Sequence, residues 1–445
     1  MPSLLGAQEN EEESLVPAPL VPAPERWDLS PLAPPPRWSL LDVYQETISL
    51  KTFVEELALN YEAGEGASKN LITIDEENQL ARILYQNKTP DLLWTLRFAK
   101  KDQPAPKYWR AASELPPASR RDRPLEGLRI VIDPGHIGGP WADMEQRRFL
   151  IYPPGSKEPG EVTELLPPHG PFRPVMEGSI VLRVAEILEE KLTALGAYVA
   201  LARRQTEPVT PQRPNDFADL ARSSLGYSSR IQMSENSNLR RKAERLFYLS
   251  AEIRARGTRV NESFRPDLAL CLHLNAEAWG SPSRPSFSTK NHLHFLINGC
   301  YSRSEILKDD QRFEMILRLL QRIHPEELAV CRTVAETMSD TLGLPAFLYK
   351  GSNAKQVSPD PYVWSRNLLA TRIYRCPVLF FEPHVMNHAI TYERIQRGEY
   401  PGKQMINGRA YPNLWEEYAS SIADGLARHY REIRSFPNPP SSSPS

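Results

Sequence analysis

Between Leu128 and Arg203 the spacing of the hydrophobic positions changes twice. The chain first gives an uninterrupted apolar run that ends in Pro-Gly, LRIVIDPG, which predicts a buried strand. An amphipathic pattern closed by Gly196 follows, EGSIVLRVAEILEEKLTALG, and after it comes a second apolar run, AYVALARR. Strand, helix and strand in this order favour a right-handed crossover, and therefore a mainly parallel sheet covered by helices.

The same alternation continues towards the end of the chain, after a polar insertion at about residues 205–238. Helical spacing is present in residues 326–342 and in two longer runs, NLRRKAERLFYLSAEIRARG and NLWEEYASSIADGLARHYREI. Apolar runs that predict strands are DLALCLHL, HLHFLIN and PVLFFE. We therefore predict one large α/β domain at residues 125–434.

The remainder of the chain divides into three parts. Residues 1–36 are rich in proline, which predicts a disordered arm because proline removes a backbone donor and fixes its own backbone angle. Residues 38–110 combine helical spacing with two strand-like runs, LITID and LLWTLRFA, and predict a small α+β module of unassigned role. Residues 435–445 predict a disordered tail.

The balanced charge excludes recognition of a partner through the overall charge of the chain. Lys+Arg 54 against Asp+Glu 55 leaves a formal net charge of -1, so nothing draws the whole chain to nucleic acid or to an anionic membrane.

No stretch approaches the roughly 20 consecutive apolar residues of a membrane span. The first residues, MPSLLGAQENEEESLVPAPL, lack the basic start and apolar segment of a secretory signal.

Some acidic and imidazole side chains fall at strand ends or at a helix start: His136, Glu177, His273 and Glu382. Sites assemble at the carboxyl ends of strands in an open α/β sheet, so these sequence-distant residues can meet. Two histidines and one carboxylate suffice to hold catalytic zinc, because a fourth position must stay open for water. A nearby carboxylate then moves a proton, and Glu382 is the candidate for that task.

Four patches contain these residues: IVIDPGHIGG, MEGSIVLRVAEILEEKLTALGAYVALARR, DLALCLHLNAE and CPVLFFEPHVMN. In this order they resemble the zinc-dependent N-acetylmuramoyl-L-alanine amidases of the family often called amidase type 3. The first patch resembles that family's opening strand and ligand loop, and the second resembles its Glu-led helix and following strand. The third and fourth resemble its second histidine strand and its closing strand with a catalytic glutamate. The resemblance covers about residues 128–434.

The resemblance implies a mixed, mostly parallel sheet between helical layers. It also implies a hydrolase that cuts the amide bond between N-acetylmuramic acid and L-alanine in peptidoglycan, during wall remodelling or daughter-cell separation. Peptidoglycan is then the expected partner, and the expected location is the periplasm or the outside of the cell. A regulatory partner is left open.

The resemblance also assigns roles to individual residues. It implies that one Zn²⁺ is held by His136, Glu177 and His273, and that Glu382 acts as general base and general acid. Substrate contacts are expected from Asn275, His384 and Asn387.

Two alternatives remain open. Glu145, in WADMEQRRF, is a rival third ligand, because a Pro-rich segment makes the interval from His136 to Glu177 longer than the family's usual one. Glu177 is favoured by the helix pattern that follows it, although the helix dipole would also stabilise a glutamate there without a metal. For the function, the alternatives are a zinc hydrolase of another peptide or amide, and an inactive amidase-like protein that binds the cell wall or has a regulatory role.

Other polar residues near these patches are interpreted as structural. Arg254 and Asn261 precede the second histidine strand, in positions compatible with an Arg and an Ala-Asn pair of the family. His292 and His294 alternate on a predicted strand and share one face, which indicates packing or surface more often than a second metal site.

Overall fold

The computed structural model describes residues 27–86, 92–152, 172–278, 280–281 and 284–436. Most of the predicted arm, the tail from residue 437 and most of the Pro-rich segment before Glu177 therefore lie outside the described residues. The end of the predicted arm is described. There the backbone amide of Asp28 donates to Asp309 at 3.1 Å, and that of Ser30 donates to Asp310 at 2.7 Å.

Strands and helices alternate along most of the described chain. The strands are β1 (Ile72–Asp75), β2 (Leu80–Leu84), β3 (Leu93–Arg97), β4 (Arg129–Pro134), β5 (Arg148–Phe149), β6 (Val175–Met176), β7 (Tyr198–Leu201), β8 (Leu268–Leu272), β9 (Gly280–Ser281), β10 (Arg284–Pro285), β11 (Leu293–Ile297), β12 (Lys355–Gln356), β13 (Val363–Ser365), β14 (Val378–Pro383), β15 (Lys403–Ile406) and β16 (Arg409–Pro412). The α-helices are α1 (Leu50–Glu56), α2 (Glu177–Ala194), α3 (Ala218–Leu225), α4 (Ser237–Leu246), α5 (Glu252–Arg259), α6 (Arg303–Ile306), α7 (Asp309–Leu320), α8 (Ile323–Leu342), α9 (Leu369–Ile373), α10 (Ala389–Arg397) and α11 (Leu414–Ile433).

Within the described residues, the central sheet has seven strands in the order β12-β13-β11-β14-β8-β4-β7. The pairs β4–β7, β4–β8, β8–β14 and β11–β13 are parallel, whereas β11–β14 and β12–β13 are antiparallel. The prediction of a mixed, mostly parallel sheet is therefore confirmed. The sequence did not predict β12 and β13, because both are very short and lie in a segment rich in turn-forming residues.

Helices cover both faces of this sheet. In β4, Ile130 and Ile132 belong to the hydrophobic cluster that includes α2, α8 and α11, whereas Val131 belongs to the cluster on the opposite face. The opposite cluster includes Trp109 and the segments before β8 and β14. Strands with both faces buried read as continuous apolar runs, which is why these strands were visible in the sequence.

The first strands form a separate antiparallel sheet in the order β1-β2-β3. In β2, Ile83 lies opposite Ile72 of β1 and Trp94 of β3. The apolar side of this sheet shares one hydrophobic cluster with Tyr301 and with residues of α7, including Phe313. The small unit is therefore packed directly on a helix of the following segment. None of the helices in the described ranges combines the length and apolar character needed to cross a membrane.

The contact between α11 and α8 at Gly425 supplies a test of how these two helices pack. A Cβ added at Gly425 would lie 2.9 Å from the Cα of Val334. We expect Gly425→Ala to lower the free energy of unfolding, because overpacking costs about 1–3 kcal/mol, which exceeds the gain in helix propensity of about 1 kcal/mol. Thermal or denaturant unfolding measures the change.

The neighbouring exposed position is the control. Asp424→Ala should change stability by no more than about 0.5 kcal/mol. Equal stability of Gly425→Ala and the wild-type protein would contradict the close packing of these helices.

Candidate metal centre

His136 lies on a tight turn directly after β4. Its backbone φ is +54°, a left-handed conformation that costs a non-glycine residue about 1–2 kcal/mol. The imidazole is mostly buried. The turn therefore needs contacts that offset the backbone strain and that donate hydrogen bonds to its carbonyl oxygens.

Two buried arginines supply these contacts. Arg256 donates to the carbonyl oxygens of Pro134 and His136, both at 2.8 Å. Arg203 donates to the carbonyl of Pro134 at 3.0 Å, to that of Gly135 at 3.0 Å and, from the same nitrogen, to that of Gly178 at 2.6 Å. Arg203 thus ties the His136 turn to the first turn of α2.

The charge of Arg256 is balanced inside the protein. Its guanidinium contacts Asp133 at 2.9 Å and Glu252 at 2.7 Å. Tyr374 donates its hydroxyl proton to the second oxygen of Asp133 at 2.6 Å. Because removing one member would leave a buried charge unpaired, this network fixes the turn strongly.

Glu177 is the first residue of α2 and its side chain is only 2% exposed. Its Oε2 lies 3.2 Å from Nε2 of His136, and its Oε1 lies 3.1 Å from Nδ1 of His273. Oε1 also accepts the backbone N–H of Leu274 at 3.1 Å. The carboxylate therefore bridges the two histidines.

His273 follows β8 directly. Its ring stacks on Phe380 of β14, with 4.3 Å between ring centroids and an interplanar angle of 15°. Its carbonyl accepts the hydroxyl of Tyr418 at 3.0 Å. A Cβ at Gly135 would lie 2.2 Å from the imidazole, so only glycine fits beside this ring. The ring orientation is thus fixed by neighbours on three elements.

These three side chains fit a metal ion. One possible ligand atom from each of His136, Glu177 and His273 lies within 4.8 Å of the other two. Donors around a tetrahedral zinc lie roughly 3.3 Å apart when the metal–donor bonds are about 2.0–2.1 Å. The 3.2 Å between His136 Nε2 and Glu177 Oε2 matches this separation. The group could therefore hold a metal with little rearrangement.

The protonation of these three side chains follows from their mutual contacts. Burial lowers the pKa of His136, but the carboxylates of Glu177 and Glu145 outweigh burial and raise this pKa to about 9. Burial raises the pKa of Glu177, but His136 and His273 together hold it well below the usual value. Burial lowers the pKa of His273, more than Glu177 raises it. In the metal-free protein a single proton therefore belongs mainly on His136.

Glu382 lies at the end of β14, two residues after Phe380, and so shares the sheet face of the ring that stacks on His273. In the antiparallel register Glu382 is opposite His294 of β11. Burial raises the pKa of Glu382 to about 8, and the charge of Glu177 adds to this effect. The predicted proton carrier thus lies beside the three-residue group.

Glu145 takes a different position from the one expected of a ligand. Its carboxylate accepts the backbone N–H groups of Ile137 and Gly138 at 2.9–3.0 Å, and Oε1 lies 3.5 Å from Nδ1 of His136. Glu145 therefore contacts Nδ1 of His136, whereas Glu177 contacts Nε2 of the same ring. In this place Glu145 is suited to orienting the ring of His136, as carboxylates commonly do for metal-binding histidines.

The predicted substrate contacts lie in the loops around the centre. The backbone of Asn275 donates to His384 at 2.9 Å, and its side-chain nitrogen is 3.4 Å from His294. The buried ring of His384 has Glu417 at 3.9 Å. Buried Asn387 accepts the backbone N–H of Glu277 at 3.0 Å. These contacts brace the loops after β8 and β14, and contact with substrate remains a prediction for all three residues.

Some residues of the centre were not identified from the sequence. Arg147 donates from Nε to Glu177 at 3.1 Å and lies 3.2 Å from His136 Nε2. The arginine that holds the His136 turn is Arg256, whereas Arg254 has Asp310 at 3.6 Å instead. His294 is not an isolated packing residue either, because the Tyr349 hydroxyl lies 3.0 Å from its Nε2. No motif spacing in the sequence marks these contacts.

Comparison with known proteins gives structural likeness only. No family model matches the chain, and no curated protein matches it. Among solved structures it is similar to the N-acetylmuramyl-L-alanine amidase Ami1 from Mycobacterium smegmatis, with 15% identity, a TM-score of 0.34, and coverage of 69% of this chain and 99% of that one.

Two further solved structures show about the same similarity to this chain. The catalytic domain of CwlV, an N-acetylmuramoyl-L-alanine amidase from Bacillus (Paenibacillus) polymyxa var. colistinus, has 15% identity and a TM-score of 0.33, with 69% of this chain and 99% of that one covered. The CwlD amidase from Clostridioides difficile, in complex with the GerS lipoprotein, has 12% identity and a TM-score of 0.32, with 68% and 98% covered. Likeness at this level assigns no function to this chain.

Paired substitutions test which carboxylate is the ligand. Glu177→Gln and Glu145→Gln each remove one negative charge next to His136. We expect Glu177→Gln to lose stoichiometric zinc binding, whereas Glu145→Gln should keep one zinc ion with affinity weakened by about tenfold. Competition with a chromophoric chelator measures both affinities. Loss of the metal only in Glu145→Gln would reverse the assignment.

Metal binding should also release a proton. The pKa of His136 is raised to about 9, so His136 is protonated at pH 7.5 in the metal-free protein and must lose that proton to become a ligand. We expect about one proton to be released per zinc bound at pH 7.5, and less as the pH rises through 9. Calorimetry in buffers of different ionisation enthalpy measures this number. Proton release that is absent at pH 7.5 would contradict the described contacts of His136.

Proposed function

We propose that this protein is a zinc-dependent hydrolase that cuts the amide bond between N-acetylmuramic acid and L-alanine in peptidoglycan. The observation that carries the proposal is the meeting of His136, Glu177 and His273 from three separate elements, with Glu382 at the adjacent strand end. A metal-binding group beside a carboxylate of raised pKa is the arrangement that amide hydrolysis by a metal-activated water requires.

The three ligands have a donor set suited to catalysis. Two imidazole nitrogens and one carboxylate leave a fourth coordination position open. A zinc ion held there would polarise the scissile carbonyl and lower the pKa of a bound water. The protein's part is to keep the ligands in place, through the contacts of Arg256 and Arg203 with the His136 turn and through the stacking of His273 on Phe380.

Glu382 is the proposed proton carrier. In the metal-free protein its pKa is raised to about 8. A zinc cation at the adjacent group would lower this pKa towards neutral pH, where a carboxylate can both accept a proton from the attacking water and return it to the leaving amine. The side chain is only half-buried, so a bound substrate can reach it. We assign to Glu382 both the general-base and the general-acid step.

Peptidoglycan is proposed as the substrate because all four patches that resemble the amidase family, in the family's order, lie in this domain. Cleavage of the lactyl-to-L-alanine amide would release a stem peptide with a free amino group on alanine. Such a substrate places the working protein in the periplasm or outside the cell. The identity of the released product distinguishes this substrate from another peptide or amide.

The decisive experiment follows product release from purified peptidoglycan by mass spectrometry. The zinc-loaded protein should release stem peptides that begin with L-alanine, and removal of zinc by a chelator should stop the release until zinc is returned. We expect Glu382→Gln to lower the rate by about 10²–10⁴-fold while keeping one bound zinc ion. Glu186→Gln, on an exposed side of α2, is the matched control and should leave the rate unchanged.

Three other results would contradict or change the proposal. Turnover that survives complete removal of metal would exclude the proposed mechanism. Full activity of Glu382→Gln would remove Glu382 from the reaction. Products that lack a new amino-terminal alanine would instead indicate another substrate.

A further inference from the structure

A cavity of about 930 Å³ lies apart from the metal centre, between the segment around Pro34–Pro36 and helices α5, α7 and α9. None of the three ligand side chains lines it. One wall is apolar and includes Leu40 and Ile373. The other residues that line it include the arginines Arg37, Arg254, Arg265, Arg318, Arg372 and Arg375. Its volume lies in the range of about 300–1,000 Å³ that is typical of small-molecule sites.

The carboxylates around this cavity neutralise only part of its positive charge. Arg318 pairs with Glu327, and Arg372 pairs with Glu314 at 2.6 Å. In contrast, Arg37, Arg265 and Arg375 have no ion pair with any carboxylate in the described part of the chain. Of the acidic residues in the wall, Glu262 is similarly unpaired there. The cavity therefore carries an excess of positive charge.

Arg254 is the least satisfied of the buried arginines. Its side chain is 13% exposed, and its nearest carboxylate oxygen, in Asp310, is 3.6 Å away. Its Nε and Nη2 are both buried, and neither has a hydrogen-bond partner among the described residues. A buried donor without a partner is costly to the fold, and a guanidinium more so because it is charged. An anion in the cavity would supply the missing acceptors.

A second donor in the wall is in the same condition, because the Nε of Arg318 is buried without a partner among the described residues. Two buried acceptors in the wall, Gln321 Oε1 and Asp310 Oδ2, also lack partners there, and a ligand would satisfy them only with a donor such as a P–OH group. Several unsatisfied buried groups in one cavity indicate a ligand site more than they indicate a local packing defect.

We propose that this cavity binds a small organic anion, with a phosphate group at the arginine wall and an apolar part against Pro34–Pro36 and Leu40. Arginine presents a planar array of donors that matches phosphate oxygens in pairs, which suits it for this recognition. The site stands independently of the proposed hydrolase reaction, because it uses none of the metal ligands and none of the residues assigned to proton transfer.

The test uses the full chain and 1-naphthyl phosphate as the probe, with binding followed by calorimetry or by naphthyl fluorescence. The protein is kept metal-free with a chelator so that the phosphate cannot bind a metal ion. We expect saturable binding of one probe molecule, with an affinity that falls as salt concentration rises. Inorganic phosphate and 1-naphthol should both bind more weakly, because each lacks one half of the recognised chemistry.

Substitutions then locate the binding. Arg254→Met and Arg375→Met should each weaken probe binding by about tenfold or more, which is the loss expected for a charge-assisted hydrogen bond. Arg428→Met, on an exposed face of α11, is the matched control and should bind as the wild-type protein does. Glu177→Gln should also bind normally, which separates this site from the metal centre.

The melting temperature decides whether Arg254 is a ligand-binding or a structural residue. Since two of its donors have no partner, Arg254→Met should melt within a few degrees of the wild-type protein. Probe binding that is absent, or that is unchanged in both arginine variants, would overturn the proposal. Unfolding of Arg254→Met together with full affinity in Arg375→Met would also overturn it.

Discussion

The candidate centre depends on the two arginines that hold the turn after β4. His136 adopts a left-handed conformation after the strand, and the carbonyls of Pro134, Gly135 and His136 accept hydrogen bonds from side-chain donors. Arg256 and Arg203 donate hydrogen bonds to these carbonyls. Without them the turn would combine backbone strain with buried acceptors that lack partners, and each such group costs about 1–3 kcal/mol. The contact of Arg203 with Gly178 extends the constraint to α2, so His136 and Glu177 are positioned together.

The parallel strands explain why residues so distant in sequence meet. Leu272 of β8 lies opposite Pro134 of β4 and Phe381 of β14, so the three strands end at nearly the same level. The next residues along each chain are therefore found at one edge of the sheet. Among them are His273 and Glu382. The antiparallel β11 starts at this edge and adds His294, for which the sequence alone favours ordinary packing.

The sequence predicted the elements that are buried on both faces, because burial leaves continuous apolar runs. It predicted α2 equally well, since amphipathic spacing and Gly196 mark both its face and its end. It did not distinguish Arg256 from Arg254. A π turn at Phe247–Ala251 precedes these residues, and an extra residue in a helical turn rotates the following side chains to a different face. Such a turn has no marker in the hydrophobic pattern.

The contacts of Arg147, Glu145 and Tyr349 were invisible for a different reason. Each belongs to a loop, where side-chain direction is set by tertiary contacts and not by a repeating period. A sequence can therefore name candidate ligands from strand ends, but it cannot tell which neighbouring carboxylate faces which nitrogen of a histidine. That distinction between Glu177 and Glu145 is one of geometry.

The two acidic residues of the centre also show how environment separates chemical roles. Burial raises the pKa of both residues, although Glu177 is the more deeply buried of the two. Glu177 has His136 and His273 in direct contact, so it is held ionised and its oxygens remain available as ligand atoms. Glu382 has no cation in direct contact among the described residues, and it feels the negative charge of Glu177, which raises its pKa further. The same amino acid is therefore suited to binding a metal at one position and to carrying a proton at the other, and the direct partners of each side chain, not its burial, decide between these roles.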